Sequence, residues 1–438
     1  MERRSIQEEY SFGFGRAGGF LLMPLGILLA GLGVLYLKSY AAGTVSKALE
    51  PAVWPYLLAC LAEAFILQFL LWKKKYDFIL LPIVLALASV GLVEIARLKP
   101  ELLVPQLRWL CVAQVVLMLV LRFWKRIREM LSYPYLLGLT CVVVLGLPML
   151  FGTEIGGSRN WLVLGPFSVQ PSEFGKILIL FFLAAYLSDH RNMLSLPSMR
   201  LGPLCLPPLR FIAPLVCIWG AAVLMFVVER DLGSALLFFG MAVLMTYMAT
   251  GSKTYVFLAL MFISLAAGVS YLAFGHVRVR FDIWLDPWQD PNGMAYQVVQ
   301  SLFSFGTGGV WGTGFGFGHP GFIPEVHTDF IYAAIGEEWG LIGSLAVLFC
   351  YVLLSFRGIS LALQCEGEKE LLLAAGCSML LLLQAFVIIA GVTKFLPLTG
   401  ITLPFVSYGG SSLVSGFMEL GILLALSRGR QEGRRAHG

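Results

Sequence analysis

Glu370 to Val392 reads ELLLAAGCSMLLLLQAFVIIAGV, a stretch with one charge at its first position and none after it. At about 1.5 Å per residue such a run crosses a hydrocarbon core of about 30 Å as a helix, the form in which a single segment satisfies its own backbone there. Working outward, further apolar runs of this kind lie near 18–37, 53–72, 77–96, 107–124, 134–151, 174–187, 211–228, 232–250, 254–275, 329–357 and 411–427. Together they predict an all-α polytopic integral membrane bundle of about twelve transmembrane helices, with a large extracytoplasmic loop near 276–328.

Composition agrees, since 58% hydrophobic and 13% charged residues over 438 positions leave too little polar surface for a soluble chain. The formal charge of +5 does not point to nucleic acid, because the basic residues fall in short clusters between apolar runs. Of the 31 lysines and arginines, 20 fall at the termini and even-numbered connections and 10 in the odd-numbered ones, while Lys176 lies within a helix. By the positive-inside rule both termini are then cytoplasmic, in the cytoplasmic (inner) membrane. The deciding clusters are Lys73-Lys74-Lys75, Arg122 with Lys125, Arg126 and Arg128, and the tail beginning at Arg428. The first run reads as a helix rather than a cleavable leader. The eight cysteines fall in apolar runs or cytoplasmic connections and staple no outer loop.

Three stretches that this topology places outside are richer in glycine, proline and polar residues than a connector requires. The first runs from Gly156 to Lys176, the second from His276 to Thr328, and the third from Pro397 to Ser412. Asp329, Lys176, Glu173 and the glycines between Gly306 and Gly321 belong to these stretches or border them. On residue chemistry alone an aspartate after Thr328 complements a helix dipole, and Lys176 pairs at i,i+3 with Glu173 as readily as it serves a substrate. Glu229-Arg230-Asp231 reads as a tight turn with its charges in water, and at least one of Glu337 and Glu338 faces the bundle interior. The glycine-rich stretch lacks a nucleotide-loop ending, and its glycines suit close packing and movement. Tyr408-Gly409-Gly410-Ser411-Ser412 opens the last helix, with hydroxyls suited to capping. Glu325, His327 and Asp329 alternate too weakly to assign a permanent metal.

Four separated blocks then carry a family resemblance: Gly157-Ser158-Arg159 with Trp161 and Gln170-Pro171-Ser172-Glu173; Asp231-Leu232-Gly233; Asp286 to Gln300 with Pro324-Glu325, His327-Thr328-Asp329-Phe330 and Glu337-Glu338; and Leu403-Pro404-Phe405 with Ser407 to Ser412. In this order they resemble the shape, elongation, division and sporulation (SEDS) family of RodA, FtsW and SpoVE. The resemblance divides the chain into N-terminal transmembrane helices over 1–133, a catalytic core over 134–427 and a basic cytoplasmic tail over 428–438. It implies a peptidoglycan glycosyltransferase that polymerises lipid II, an undecaprenyl-pyrophosphoryl disaccharide-pentapeptide, outside the membrane, with a class B penicillin-binding protein transpeptidase as partner.

Extending a β-linked glycan from an α-linked sugar pyrophosphate inverts the anomeric carbon, so one displacement with one general base suffices. The resemblance gives that role to Asp329 and a catalytic supporting role to Lys176, which would position the acid or steady the leaving pyrophosphate. It carries Arg159, Gln170, Glu173, Glu325, His327, Lys394 and Ser411 over as substrate-binding candidates, with Arg159 ranked ahead of Arg278, Arg280 and Lys394 as a diphosphate contact. No cofactor is implied with certainty, though a divalent cation at the substrate pyrophosphate stays open. Ser168 replaces an arginine common in the family. A lipid II flippase or other transporter, and a membrane scaffold for a transpeptidase, are the competing classes.

Overall fold

The computed structural model describes residues 19–41, 50–155, 158–165, 167–195, 199–201, 204–206 and 208–436. Twelve helices among them are long and apolar enough to cross a membrane. In chain order the helices are α1 (Leu22–Ala41), α2 (Trp54–Lys73), α3 (Leu80–Leu98), α4 (Leu103–Glu129), α5 (Pro134–Phe151), α6 (Pro171–Ser195), α7 (Leu209–Val228), α8 (Leu232–Thr250), α9 (Lys253–Ala273), α10 (Gly275–Leu285), α11 (Tyr296–Gly308), α12 (Ile331–Glu338), α13 (Gly340–Ala362), α14 (Glu368–Val392) and α15 (Gly410–Ala436). All but α10, α11 and α12 are the candidate spans. The expected bundle is therefore present, and the large loop near 276–328 contains two helices of its own.

Among the described residues, two small antiparallel sheets interrupt the all-α pattern. β1 (Thr153–Ile155), β2 (Ser158–Leu164) and β3 (Phe167–Val169) form a meander after α5, with Leu162 opposite Val169 and Leu164 opposite Phe167. β4 (Met199–Leu201) and β5 (Leu204–Leu206) form a hairpin before α7.

The spans differ in how far protein surrounds them. Of their most apolar windows, 89% is buried in α3 and in α15, and none in α9. Helices α3, α6, α14 and α15 thus form the centre, and α9 presents its apolar surface outward, as lipid permits. α15 packs along α4, α6 along α5, α13 along α14, and α3 along α1. Small residues allow the closest of these approaches. A Cβ placed on Gly358 of α13 would stand 2.0 Å from Ser378 Oγ of α14.

One expected helix is divided. The apolar run at 329–357 predicts a continuous span begun by Asp329, but the backbone turns through 330, forms the short α12, and restarts at Gly340 with φ +68°. The cause is tertiary. The glycine-rich stretch threads past the break: Leu341 N–H donates to Gly309 O, while Thr313 and Gly314 N–H donate to the carbonyls of Glu337 and Glu338. A Cβ on Gly340 would meet Gly312 N at 2.3 Å, and one on Gly308 would meet Gly336 O at 2.0 Å. Both glutamates are buried and serve that stretch. Glu337 accepts from Ser304 Oγ at 2.7 Å and from His319 N at 2.6 Å; Glu338 accepts from Gly316 N at 2.9 Å and pairs with Arg97 at 3.3 Å.

Candidate active site at the loop end of the bundle

Because the spans alternate in direction, the connections α5–α6, α7–α8, α9–α13 and α13's partner connection α14–α15 fall at one end, and hydrogen bonds join all four. Asp231 is the first hub. It caps α8 by accepting from Ser234 N at 3.0 Å and from Ser234 Oγ at 2.9 Å, and its second oxygen also accepts from Asn160 Nδ2 at 2.9 Å and Gln170 Nε2 at 3.3 Å. Asp231 and Glu229 are both buried, so the turn is not a solvated one as its composition suggests. Burial, with the charge of Asp231 adding to it, pushes the Glu229 carboxyl up to about 8 and keeps it protonated at neutral pH.

The second hub is Arg280 on α10. Its Nη1 donates to Leu398 O at 3.1 Å and Thr399 O at 3.2 Å, tying the long loop to the α14–α15 connection. A Cβ on Gly233 would meet Thr399 O at 2.7 Å, so the start of α8 presses against the same tetrapeptide. Next to it Gly400, with φ +72°, turns its hydrogen toward Asp329: a Cβ there would lie 3.6 Å from Asp329 Oδ2. Beyond Gly400, Ser407 Oγ donates to Thr328 O at 2.6 Å and Tyr408 N donates to His327 O at 2.9 Å, which fixes the backbone immediately before Asp329.

Asp329 is therefore held by its backbone, while its half-buried carboxylate faces Gly400. Burial raises its pKa from 3.8 to about 6; the Arg280 charge and a hydrogen bond from Thr328 pull the other way, and Glu325 and Asp231 add to the rise. Arg280 is in turn lowered from its ordinary value by burial, against the charges of Asp231 and Asp329. A carboxylate of this kind is a competent proton acceptor near neutral pH, and the charge of Arg280 acts on the same group.

The other sequence candidates divide. Gln170 reaches Asp231, and its N–H donates to Ser411 Oγ at 3.1 Å, while that hydroxyl bonds to Ser168 O at 3.4 Å. Ser411 thus joins the β3–α6 turn to the start of α15. Lys176 lies deeper, buried between helices. Its Nζ pairs with Glu173 at 2.7 Å and with Glu419 of α15 at 3.6 Å, and it donates to Gln384 Oε1 of α14 at 2.9 Å. Glu173 also accepts from Ser415 Oγ at 2.5 Å. Among the described residues, Lys176 makes no hydrogen bond or ion pair to Asp329.

Glu325 turns a corner at φ +53° with its side chain exposed, 3.9 Å from Lys99 and 3.6 Å from His327 Nε2. The His327 ring is buried against Tyr408, and burial, with Lys99 second, lowers its pKa. Lys394 gives its carbonyl to Trp284 Nε1 at 3.3 Å, and its ammonium has no hydrogen-bond or acidic partner among the described residues. The side chain of Arg159 lies outside the described residues. Arg280 is the cation whose charge acts on Asp329, and Asp231 the acid that joins the loops. The family blocks contain Asp231 but not Arg280, and residues 160, 170, 231, 280 and 399 come together through tertiary structure alone.

With this geometry in place, the class of protein follows: residues 67–432 match the cell cycle protein family of FtsW, RodA and SpoVE, and the chain belongs to that family. It is 40% identical over 366 residues to the peptidoglycan glycosyltransferase RodA of Mycobacterium tuberculosis, covering 81% of this chain and 78% of that one. It is 36% identical over 302 residues to the stage V sporulation protein E of Bacillus subtilis, covering 68% and 79%. Among solved structures it resembles a chain of a peptidoglycan synthase complex that coordinates polymerization and crosslinking (TM-score 0.68, 29% identity, 81% of this chain and 98% of that one). It also resembles the crystal structure of the rod shape determining protein RodA of Thermus thermophilus (TM-score 0.60, 27% identity, 81% and 97%).

Proposed function

We propose that this chain is a peptidoglycan glycosyltransferase that polymerises lipid II at the outer face of the cytoplasmic membrane, with Asp329 as the general base. The observation that carries the assignment is the Asp329 carboxylate, raised to about 6 by burial and facing Gly400, with the Arg280 guanidinium close enough to be felt by it. The names of the relatives support the reaction, and the 20 to 10 distribution of basic residues supports the orientation, with both termini cytoplasmic.

In the proposed displacement the acceptor sugar hydroxyl gives its proton to Asp329 while its oxygen bonds to the anomeric carbon of the donor. The bond from that carbon to the pyrophosphate oxygen breaks, and the polyprenyl pyrophosphate leaves with the electron pair. Arg280 stabilises the anion that departs, and Gly400, without a side chain, leaves the face of the base toward it uncovered. Asp231, its oxygens filled by Asn160, Gln170 and Ser234, anchors the loops and is not an open metal ligand. A divalent cation at the substrate pyrophosphate would be held by the substrate's own oxygens, and no step is drawn through one. Lys176 acts as a positioning residue that holds α6, α14 and α15 beneath the site. A transpeptidase that crosslinks the new strands, a class B penicillin-binding protein, is the proposed partner, by analogy with the synthase complex that the chain resembles.

The test is reconstitution of the purified chain and a transpeptidase with lipid II. Glycan polymer from the parent and none from Asp329→Ala is the expected result. Polymer from both removes Asp329 as base, and passage of lipid II between leaflets without polymer favours a flippase.

A further inference from the structure

The opposite end of the bundle is closed by charge. Arg357 pairs with Asp77 at 2.6 Å, Lys369 with Asp189 at 2.8 Å, and Arg191 with Glu368 and Arg128 with Glu370 at 2.7 Å each. These pairs join the connections α2–α3, α4–α5, α6–α7 and α13–α14, and leave few acids at this end without a cation. Among them opens a cavity of about 730 Å³ whose charged lining is Lys74, Arg122, Lys125, Arg128 and Arg428 against Glu366 and Glu370. Arg128 already holds Glu370. Lys74, Arg122 and Lys125 have no acidic partner among the described residues.

Two observations define what fits. Three cations without an acidic partner line one cavity against Glu366 as the one acid there with no ion pair among the described residues, and this net positive lining calls for an anion with several acceptor oxygens, which is the chemistry of a phosphate. The rest of the wall includes Leu121, Trp124 and Leu426, toward the ends of the apolar spans of α4 and α15, so the cavity lies where the spans end and apolar wall meets cations. An occupant can lay an apolar portion on those side chains while its charge meets the lysines and arginine. Basic residues at span ends orient a membrane protein in any case, which accounts for Lys73 and Arg126, outside the cavity wall. It does not account for the convergence of Lys74, Arg122 and Lys125 from two helices.

The geometry points to a binding site for the phosphate headgroup of an anionic membrane phospholipid, held by Lys74, Arg122 and Lys125. This lipid is separate from the carrier-linked substrate, because Asp329 lies at the other end of the bundle. Its effect is to brace α2, α4 and α15, the last of which begins at Gly410 beside the candidate active site.

The experiment measures binding of phosphatidylglycerol and of phosphatidylcholine to the purified full chain, by native mass spectrometry and by the shift in thermal midpoint. Arg122→Gln/Lys125→Gln is compared with Lys73→Gln/Arg126→Gln, which removes equal charge outside the cavity. The first pair weakens phosphatidylglycerol binding roughly thirtyfold and the second changes it less than about threefold. If the first pair does not accumulate, Lys74→Gln alone gives a loss of about fivefold. Equal losses from both pairs, equal binding of the two lipids, or equal protection by inorganic phosphate each overturns the proposal: the first leaves surface charge, the second no headgroup site, the third a soluble-phosphate site.

Discussion

Two sets of charged side chains, one at the loop end and one inside the bundle, use similar residues to opposite ends. Around Lys176 every partner is supplied by protein: Glu173, Glu419 and Gln384 surround one ammonium, and Ser415 holds Glu173 in turn. Around Asp329 the protein fixes the backbone just before it and leaves the carboxylate half-buried beside a glycine. The first set resembles a buried structural ion cluster, in which removing one member leaves the others desolvated and alone. The second has an acid partly withdrawn from water and without a close ion pair among the described residues, the condition under which a carboxylate accepts a proton near neutral pH. The lesson is that buried charge marks structure when protein groups of opposite charge surround it, and chemistry when one side is left open.

Substitution separates the two sets most sharply at Asp329. Asp329→Asn lowers polymerisation by about 10²–10⁴-fold, the range supplied by general base catalysis, measured on lipid II with the protein folded. The same variant gains stability above pH 6. A carboxyl whose folded pKa is about 6 against an ordinary 3.8 binds more protons when folded, so native stability falls as pH rises through that interval, and the amide removes the penalty. A thermal midpoint higher by a few degrees at pH 7.5, with no gain at pH 4, is the expected result.

Lys176→Met should do the reverse. It leaves Glu173 and Glu419 as buried acids without their cation and costs about 3–5 kcal/mol, seen as a lower thermal midpoint and poorer accumulation. Turnover per folded molecule falls much less than in Asp329→Asn; a loss equal to that of Asp329→Asn would move Lys176 into the reaction itself.

How far the sequence alone reaches can be judged from these same residues. The spans were readable because a run such as 370–392 has to be a helix in lipid whatever surrounds it, and α14 occupies 368–392. The division at Gly340 was not, because the run at 329–357 is apolar throughout and the break is imposed by Gly309, Gly312 and their neighbours from another part of the chain. The Glu173–Lys176 pair was open to inspection at i,i+3, whereas Glu419 and Gln384 come from other helices. Asp231 looked solvated for the same reason: Asn160 and Gln170, which bury and bond it, are distant in sequence. Local period and spacing survive in a sequence; convergence of loops does not.

Smaller effects refine the account. Arg280→Gln removes the cation beside Asp329 and two bonds to the α14–α15 connection, lowering turnover about 10–100-fold and moving the acid limb of the rate profile upward. Ser411→Ala loses the hydroxyl that joins Gln170 to Ser168, at a cost of about 1 kcal/mol in stability with turnover reduced only a few-fold.

The central claim is that Asp329 works as a base because burial has raised its pKa. The rate of glycan polymerisation from saturating lipid II, followed from pH 4.5 to 8, addresses it directly. The account predicts a rate that rises tenfold per pH unit on the acid side and levels above an apparent pKa of about 6, with the limb displaced upward in Arg280→Gln. A rate that is flat across this interval, or a limb that stays in place when Arg280 is replaced, contradicts it.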